Sequence, residues 1–254
     1  MSVPFDKIAR MYDLSVPSIP RSYIELIQHS FNLVGTDRVL DVGCGAGELA
    51  LTLSEFSFHV QGIDSSKEML EIAHKRDVQK SVNWVCSPVE DFSLGSDNYN
   101  LIISFEAFHL FPNPTELIQR FALALKQGGY LCIGWANFEW ELILRHLITK
   151  IFASYKISWG DWNFWSCPNL PTLVKYGSSA FSPLVYKIVD ISTNTHIVDI
   201  ANYLVSTSRA SSLNSEERKS LFHELKIGFK KELRSEWSSG IASYSLAYCI
   251  KGSG

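Results

Sequence analysis

Residues 39–47 read Val-Leu-Asp-Val-Gly-Cys-Gly-Ala-Gly, and no other segment of the chain restricts its fold as much. A short apolar run of the kind found in buried parallel strands passes without a break into a glycine-rich turn and then, from Glu48, into a helical pattern. Glycines at 43, 45 and 47 let the backbone bend tightly and leave room for a ligand where a Cβ would intrude. Asp41 stands at the carboxyl end of the strand, two positions before Gly43. A pyrophosphate bound there would meet that carboxylate as a like charge. A ligand carrying an ammonium and a sulfonium would be attracted to it.

The glycine spacing points the same way. A dinucleotide turn of the G-x-G-x-x-G type needs its third glycine at position 48, and Glu48 is there. S-adenosylmethionine fits this arrangement and NAD fits it poorly. A second strand ends in Gly62-Ile63-Asp64-Ser65-Ser66, placing Asp64 at the strand tip beside the glycine turn, where a carboxylate can accept both hydroxyls of a ribose. Asp64 reads equally as an N-cap for a helix over Ser66–Arg76, and the two roles are compatible. A third strand ends near Ser87–Phe92, where Val89 and Glu90 sit, and a fourth in Ser104-Phe105-Glu106-Ala107-Phe108-His109. All four tips belong to the carboxyl edge, where open α/β sheets bind ligands.

Strand and helix patterns alternate from residue 38 to about 136, which predicts right-handed crossovers and a parallel sheet. Strands are expected at Arg38–Val42, His59–Ile63, Val82–Val85, Asn100–Ser104 and Tyr130–Trp135, with helices at Glu48–Phe56, Lys67–Arg76 and Pro114–Lys126 between them, the last stopped by Gly128-Gly129. The remainder reads as a helix near 139–154, an aromatic loop and a shorter helix up to about 180, a strand at about Leu184–Ile191, helices near Ile197–Ser206 and Ser215–Arg234, and a closing strand at Ser243–Ile250. A chain of 254 residues without a linker or repeat is expected to form one domain: an N-terminal cap to about 35, a core over 36–136, a cover over about 137–180 and C-terminal strands and helices over 181–254.

Composition narrows the function. A formal charge of −3 gives no basic field for nucleic acid. The N-terminus lacks a signal-peptide pattern, and no apolar stretch is long enough to span a membrane. The five cysteines are never spaced C-x-x-C. The expectation is a reduced, cytoplasmic, metal-free protein that binds neither nucleic acid nor membrane, as a monomer or homodimer.

At the residues of the glycine turn and the strand tips, the chain resembles the class I S-adenosylmethionine-dependent methyltransferases, and most of all their small-molecule branch, the group that includes trans-aconitate methyltransferase-like proteins. The match covers Arg38 to about Trp135, with a looser likeness at Phe5–Asp13 and at Tyr203–Ser208. The resemblance implies a Rossmann-like α/β fold, its seven-stranded, mostly parallel sheet in the order 3-2-1-4-5-7-6, the last strand antiparallel, with helices on both faces and a helical, aromatic insertion after strand 5. It also implies that Asp41, Gly43, Cys44 and Gly45 surround the methionine moiety of the cofactor, Asp64 the ribose, Ser65 or Met69 the adenine edge, and Val89 and Glu90 the adenine ring, with Ser104 and Phe105 across the crevice. Two positions depart from the family pattern. Pro88 occupies the place of an acid on the adenine amino group, which leaves Glu90 or Asp91 to replace it. Leu14-Ser15-Val16-Pro17 stands where relatives carry an arginine, so either Arg21 serves or the N-terminal cap closes differently.

The expected reaction is transfer of the sulfonium methyl to an O, N or C nucleophile of a small acceptor, leaving S-adenosylhomocysteine. His109 reads as a general base or as a structural histidine before Phe111-Pro112, Glu106 as a crevice acid or an exposed one, and Tyr12 as a flap over the cofactor or a core residue. Five of the seven tryptophans, at 135, 140, 159, 162 and 165, crowd one stretch. They read as an acceptor wall, with Trp135, Trp162 and Trp165 the candidates, or as packing that buries the insertion, or as a dimer surface. Two rivals stand beside this: a non-catalytic S-adenosylmethionine-binding protein, and a nicotinamide-dependent oxidoreductase, which Asp41, Glu48 and the lack of a Tyr-x-x-x-Lys pair disfavour.

Overall fold

The computed structural model describes residues 5–31, 33–56, 59–158, 181–182 and 184–252. Seven strands form one sheet: β1 (Arg38–Val42), β2 (His59–Asp64), β3 (Val82–Cys86), β4 (Tyr99–Phe105), β5 (Leu125–Phe138), β6 (Val185–His196) and β7 (Trp237–Ile250), in the order β3-β2-β1-β4-β5-β7-β6. Neighbours from β3 to β5 pair in parallel, and β7 runs antiparallel to both β5 and β6. This is the fold and strand order that the resemblance implied.

Helices α1 (Ala9–Ser15) and α2 (Arg21–Ser30) precede the sheet; α3 (Glu48–Ser54), α4 (Lys67–Arg76) and α5 (Pro114–Ala124) cross between its strands. Apolar side chains pack on both faces. One core joins Leu40, Ile102 and Ile133 to Phe121 of α5, and the other joins Val39, Leu101 and Ile103 to Tyr23 and Ile27 of α2 and Leu53 of α3. A third core has no strand residue among its buried members, although Phe138 of β5 packs against it. It joins Trp140, Leu144 and Phe152 of α6 (Glu139–Ser154) to Ile200 and Leu204 of α7 (Ile197–Ser206) and Leu225 and Phe229 of α8 (Ser215–Leu233). This core therefore joins helices from two crossovers. Its α6 packs against helices that lie between β6 and β7, so the segment after β5 has a partner surface that sequence reading did not supply.

Several boundaries move. The helix expected to end at Lys126 stops at Ala124, because Leu125 already pairs with Tyr99 across the β4–β5 ladder, and Gly128 lies within β5 at φ +74°. Strands β5, β6 and β7 also run further than their apolar residues, continuing as a ladder that reaches His196 opposite Trp237. Backbone pairing carries that extension, and a polar run such as Ser192-Thr193-Asn194-Thr195 gives no period-2 signal for it.

Candidate active site

Ladder register brings the strand tips together. Asp41 pairs with Gly62 on β2 and Ile103 on β4, Asp64 with Cys86 on β3, and Phe105 with Gly134 on β5. Above this edge lies a cavity of about 820 Å³, bounded by the glycine turn, the tips of β2 to β5, the N-terminal helix and one residue each of α7 and β7.

Its floor is the turn after β1. Gly43, Gly45 and Gly47 all have positive φ, at +72°, +53° and +86°. Only Gly45 faces open space; a Cβ at Gly43 would strike Ala107, and one at Gly47 would strike the Trp84 ring. The space that glycine leaves at 43 and 47 is thus filled by the chain itself. Asp77, at the end of α4, places that indole by accepting Trp84 Nε1–H at 3.0 Å, together with the amides of Ser81 and Val82.

Asp41 is 2% exposed, and its Oδ2 has no hydrogen-bond partner among the described residues. Burial and the charge of Asp64 push its pKa up to about 7. Asp64 is also raised, chiefly by burial, although it accepts the Gly45 amide at 2.9 Å through Oδ2 and the Ser66 amide at 2.8 Å through Oδ1. The helix cap itself is Ser66, whose side chain accepts the Met69 amide. Ser65, Met69, Val89 and Glu90 line the same end of the cavity, and Glu90 Oε1 is buried with no hydrogen-bond partner among the described residues. Of the two acids on this loop, Glu90 lines the cavity and Asp91 does not. Arg120 of α5 fixes this loop by donating to the carbonyls of Val89, Glu90 and Phe92 at 2.5–3.0 Å.

The opposite end is aromatic and acidic. Phe105, Tyr12, Phe138, Tyr203 and Tyr244 face it, with Phe105 and Tyr244 stacked at 6.4 Å and Tyr203 edge-on to Phe138 at 6.5 Å. Glu106 stands among them at φ +55°, an unusual conformation for a residue with a Cβ. Its Oε1 accepts the Ala136 amide of β5, and desolvation lifts its pKa to about 7. Burial together with Glu106 and Asp64 pushes the Tyr12 phenol up, so it stays protonated.

The N-terminal helix closes the side of the cavity. Arg76 of α4 grips Asp13 with two guanidinium nitrogens at 2.7 and 2.8 Å, and Ser66 donates to Asp6 at 2.6 Å. Arg21 instead points outward and pairs with Glu25. The cap closes through Arg76, a residue the sequence offered only as the end of a helix.

Three expected site residues fall elsewhere. Trp135 is buried on the opposite side of β5, its ring 5.7 Å from Tyr186, because strand alternation gives the cavity to Ala136 and Phe138. Ser104 spends its hydroxyl on the Val42 carbonyl at 2.9 Å, tying β4 to β1. His109 does not line the cavity, and burial with the nearby Arg209 guanidinium pushes it down to about 4, so it is neutral at physiological pH. Trp162 and Trp165 lie outside the described residues. Tyr203 and Tyr244 were not named as site residues; Tyr203 carried a signal, as the first residue of the C-terminal resemblance, and Tyr244 carried none. Cys44 lines the cavity as a buried thiol pushed well up by desolvation, which suits a turn residue and not a nucleophile.

Comparison with known proteins places this architecture. Residues 39–129 match the family model described as a methyltransferase domain. A ubiquinone biosynthesis O-methyltransferase of Coxiella burnetii is 28% identical over 134 residues, covering 52% of this chain and 56% of that protein. One from Hydrogenovibrio crunogenus is 31% identical over 137 residues, covering 53% and 55%. The chain thus spans little more than half the length of these curated relatives. Among solved structures, a type II methyltransferase (so described, as putative) from Anaeromyxobacter dehalogenans superposes with a TM-score of 0.65 over 93% of this chain and 97% of its own, at 16% identity. Phosphoethanolamine N-methyltransferase 2 of Haemonchus contortus, solved with S-adenosylhomocysteine, gives 0.58 over 98% of this chain and 58% of its own, also at 16%. Fold, strand order and family match define the class: residues 39–129 match a methyltransferase domain, and the chain has the fold of the methyltransferase structures it superposes on. The resemblance read from the glycine turn and strand tips is borne out at that level.

Proposed function

We propose that this protein transfers the methyl group of S-adenosylmethionine to a nucleophile on a small acceptor, within one domain. The observation that carries this reading is Asp41: a buried carboxylate with one oxygen unpartnered, beside an open turn at Gly45, is what a bound ammonium would complete. Asp41 with the Gly43–Gly45 turn would hold the amino acid end of the cofactor, Asp64 the ribose, and Ser65, Met69, Val89 and Glu90 the base. S-adenosylmethionine supplies a methyl already activated on a sulfonium, so the protein's work is alignment and the exclusion of water. Tyr12 on the cap and the aromatic rings opposite enclose the space beyond the turn. Glu106, fixed by the Ala136 amide, is the group placed to receive a proton from an acceptor that must lose one. Transfer to such an acceptor then accelerates as pH rises through about 7, where Glu106 ionises.

Calorimetric titration tests the reading. S-adenosylhomocysteine is expected to bind and NADP to give no heat. Binding of NADP with none of S-adenosylhomocysteine overturns it. Replacing Asp64 by Ala should weaken binding by about 2–4 kcal/mol, the loss of charge-assisted hydrogen bonds.

A further inference from the structure

Among the described residues, six carboxylates line the cavity, at Asp13, Asp41, Glu48, Asp64, Glu90 and Glu106, against one cation, Arg76. That arginine is committed to Asp13 by two contacts under 3 Å. Glu48 accepts the Ile19 amide at 2.9 Å, which points it toward the N-terminal segment. On the proposed cofactor placement, Asp41, Asp64 and Glu90 face the cofactor. Glu106 is then the acid left for the acceptor, and what surrounds it is aromatic: Tyr12, Phe105, Phe138, Tyr203 and Tyr244.

A carboxylate set among ring faces discriminates by charge. An anionic acceptor would be repelled by Glu106, and the one guanidinium among the lining residues, Arg76, is held by Asp13. A cation gains twice, from the carboxylate and from the ring quadrupoles. A neutral hydroxyl gains neither attraction in full. Glu141, 5% exposed on α6 near Glu106, adds no charge of its own: desolvation and Glu106 raise its pKa well above the ordinary value and keep it protonated, with Arg145 and Arg209 opposing the shift.

We propose that the acceptor is an amine on an apolar body, drawn as its ammonium ion into the aromatic end of the cavity, and that Glu106 takes its proton before methyl transfer. This rests on the methyl-transfer reading above. The step balances as follows. One N–H proton passes from the ammonium to the Glu106 carboxylate, leaving a nitrogen lone pair. That pair forms the N–C bond to the methyl as the C–S bond breaks, and the C–S electrons remain on sulfur, giving the neutral thioether. The product leaves as a methylated ammonium, and the proton on Glu106 returns to solvent. An acid lifted toward neutrality by desolvation suits a group that must take a proton and release it in each cycle.

The test uses the full chain saturated with S-adenosylhomocysteine and three ring compounds of matched size: phenethylamine, 2-phenylethanol and phenylacetate. Competition and thermal-shift measurements should rank amine above alcohol by about tenfold or more, with the carboxylate weakest; an unscreened charge contact of this size exceeds the 1.4 kcal/mol that tenfold represents. Glu106→Gln should erase the preference of amine over alcohol while holding S-adenosylhomocysteine affinity within about threefold, and Glu106→Asp should restore part of it. With S-adenosylmethionine, methylated amine should form and kcat should fall far more than KM rises in Glu106→Gln. Equal or stronger binding of the carboxylate, no amine binding at millimolar concentration, or an unchanged ranking in Glu106→Gln overturns the proposal. Failure of S-adenosylhomocysteine to bind at the outset overturns the methyl-transfer reading instead, so the two failures are told apart.

Discussion

Asp41 shows at one residue how a binding site is prepared. In the ligand-free chain burial and Asp64 hold its pKa near 7, against an ordinary value of 3.8, so it is protonated over much of the acidic range. Glu106 is lifted to about 7 in the same way from 4.5. Both groups bind protons more tightly folded than unfolded. Their contribution to stability is therefore full below about pH 4 and is lost as pH rises toward 7. The melting temperature of the ligand-free protein should fall across that window, and Asp41→Asn should flatten the fall. An ammonium ligand favours the ionised form, so binding should release a proton near neutrality. Calorimetry in buffers of different ionisation enthalpy measures that release directly; it should disappear in Asp41→Asn, with affinity for S-adenosylhomocysteine down about 10–100-fold. Asp64 is less simple to test than its position suggested, because it also clamps the Gly45 and Ser66 amides. Asp64→Asn, which keeps one acceptor oxygen, is the companion variant to Asp64→Ala.

Among the elements, the N-terminal helix matters most for closure. Its residues Tyr12 and Asp13 reach the cavity because Asp6 and Asp13 are fastened to the two ends of α4. Removing Arg76 (Arg76→Ala) should cost less than about 1 kcal/mol of stability, since the pair is partly exposed. The same change should raise the dissociation rate of S-adenosylhomocysteine several-fold by freeing the cap. Stopped-flow release with a denaturant melt separates the two effects; a large stability loss with an unchanged release rate would make the bridge purely structural. The bounds of α4 were legible from residues 67–76 because apolar Met69, Leu70 and Ala73 keep helical spacing behind a serine cap. The pairing of Arg76 with Asp13 was not, because it joins residues far apart in sequence that only the fold makes neighbours.

At the scale of the molecule, three cores of the described residues divide the labour: two clamp the sheet, and the third packs α6, α7 and α8 together. Gly134 is where the layers meet most closely. Tyr23 of α2 lies over it, fully buried, and donates to the Ser245 carbonyl of β7 at 3.0 Å, while Phe105 approaches from β4. A Cβ there would overlap both rings. Gly134→Ala should therefore destabilise by about 1–3 kcal/mol, the usual range for overpacking, read as a lower urea midpoint at constant m value.

Sequence alone determined the class. The turn at 43–47 and the acids at 41 and 64 follow from local chemistry, since strand, turn and helix are specified by neighbours a few residues apart, and the parallel order follows from the alternation of elements. Tertiary structure decided which end of each strand faces what. It gave the cavity Ala136 and Phe138 in place of Trp135, because one residue of register on β5 exchanges the faces of the sheet. It set His109 outside the cavity and Glu106 within it, because the backbone turns at positive φ after β4. It brought Tyr203 of α7 and Tyr244 of β7, both remote in sequence from the glycine turn, to the same wall. Periodicity records which residues share a face of one element; which faces meet depends on packing between elements, and packing is a property of the whole chain.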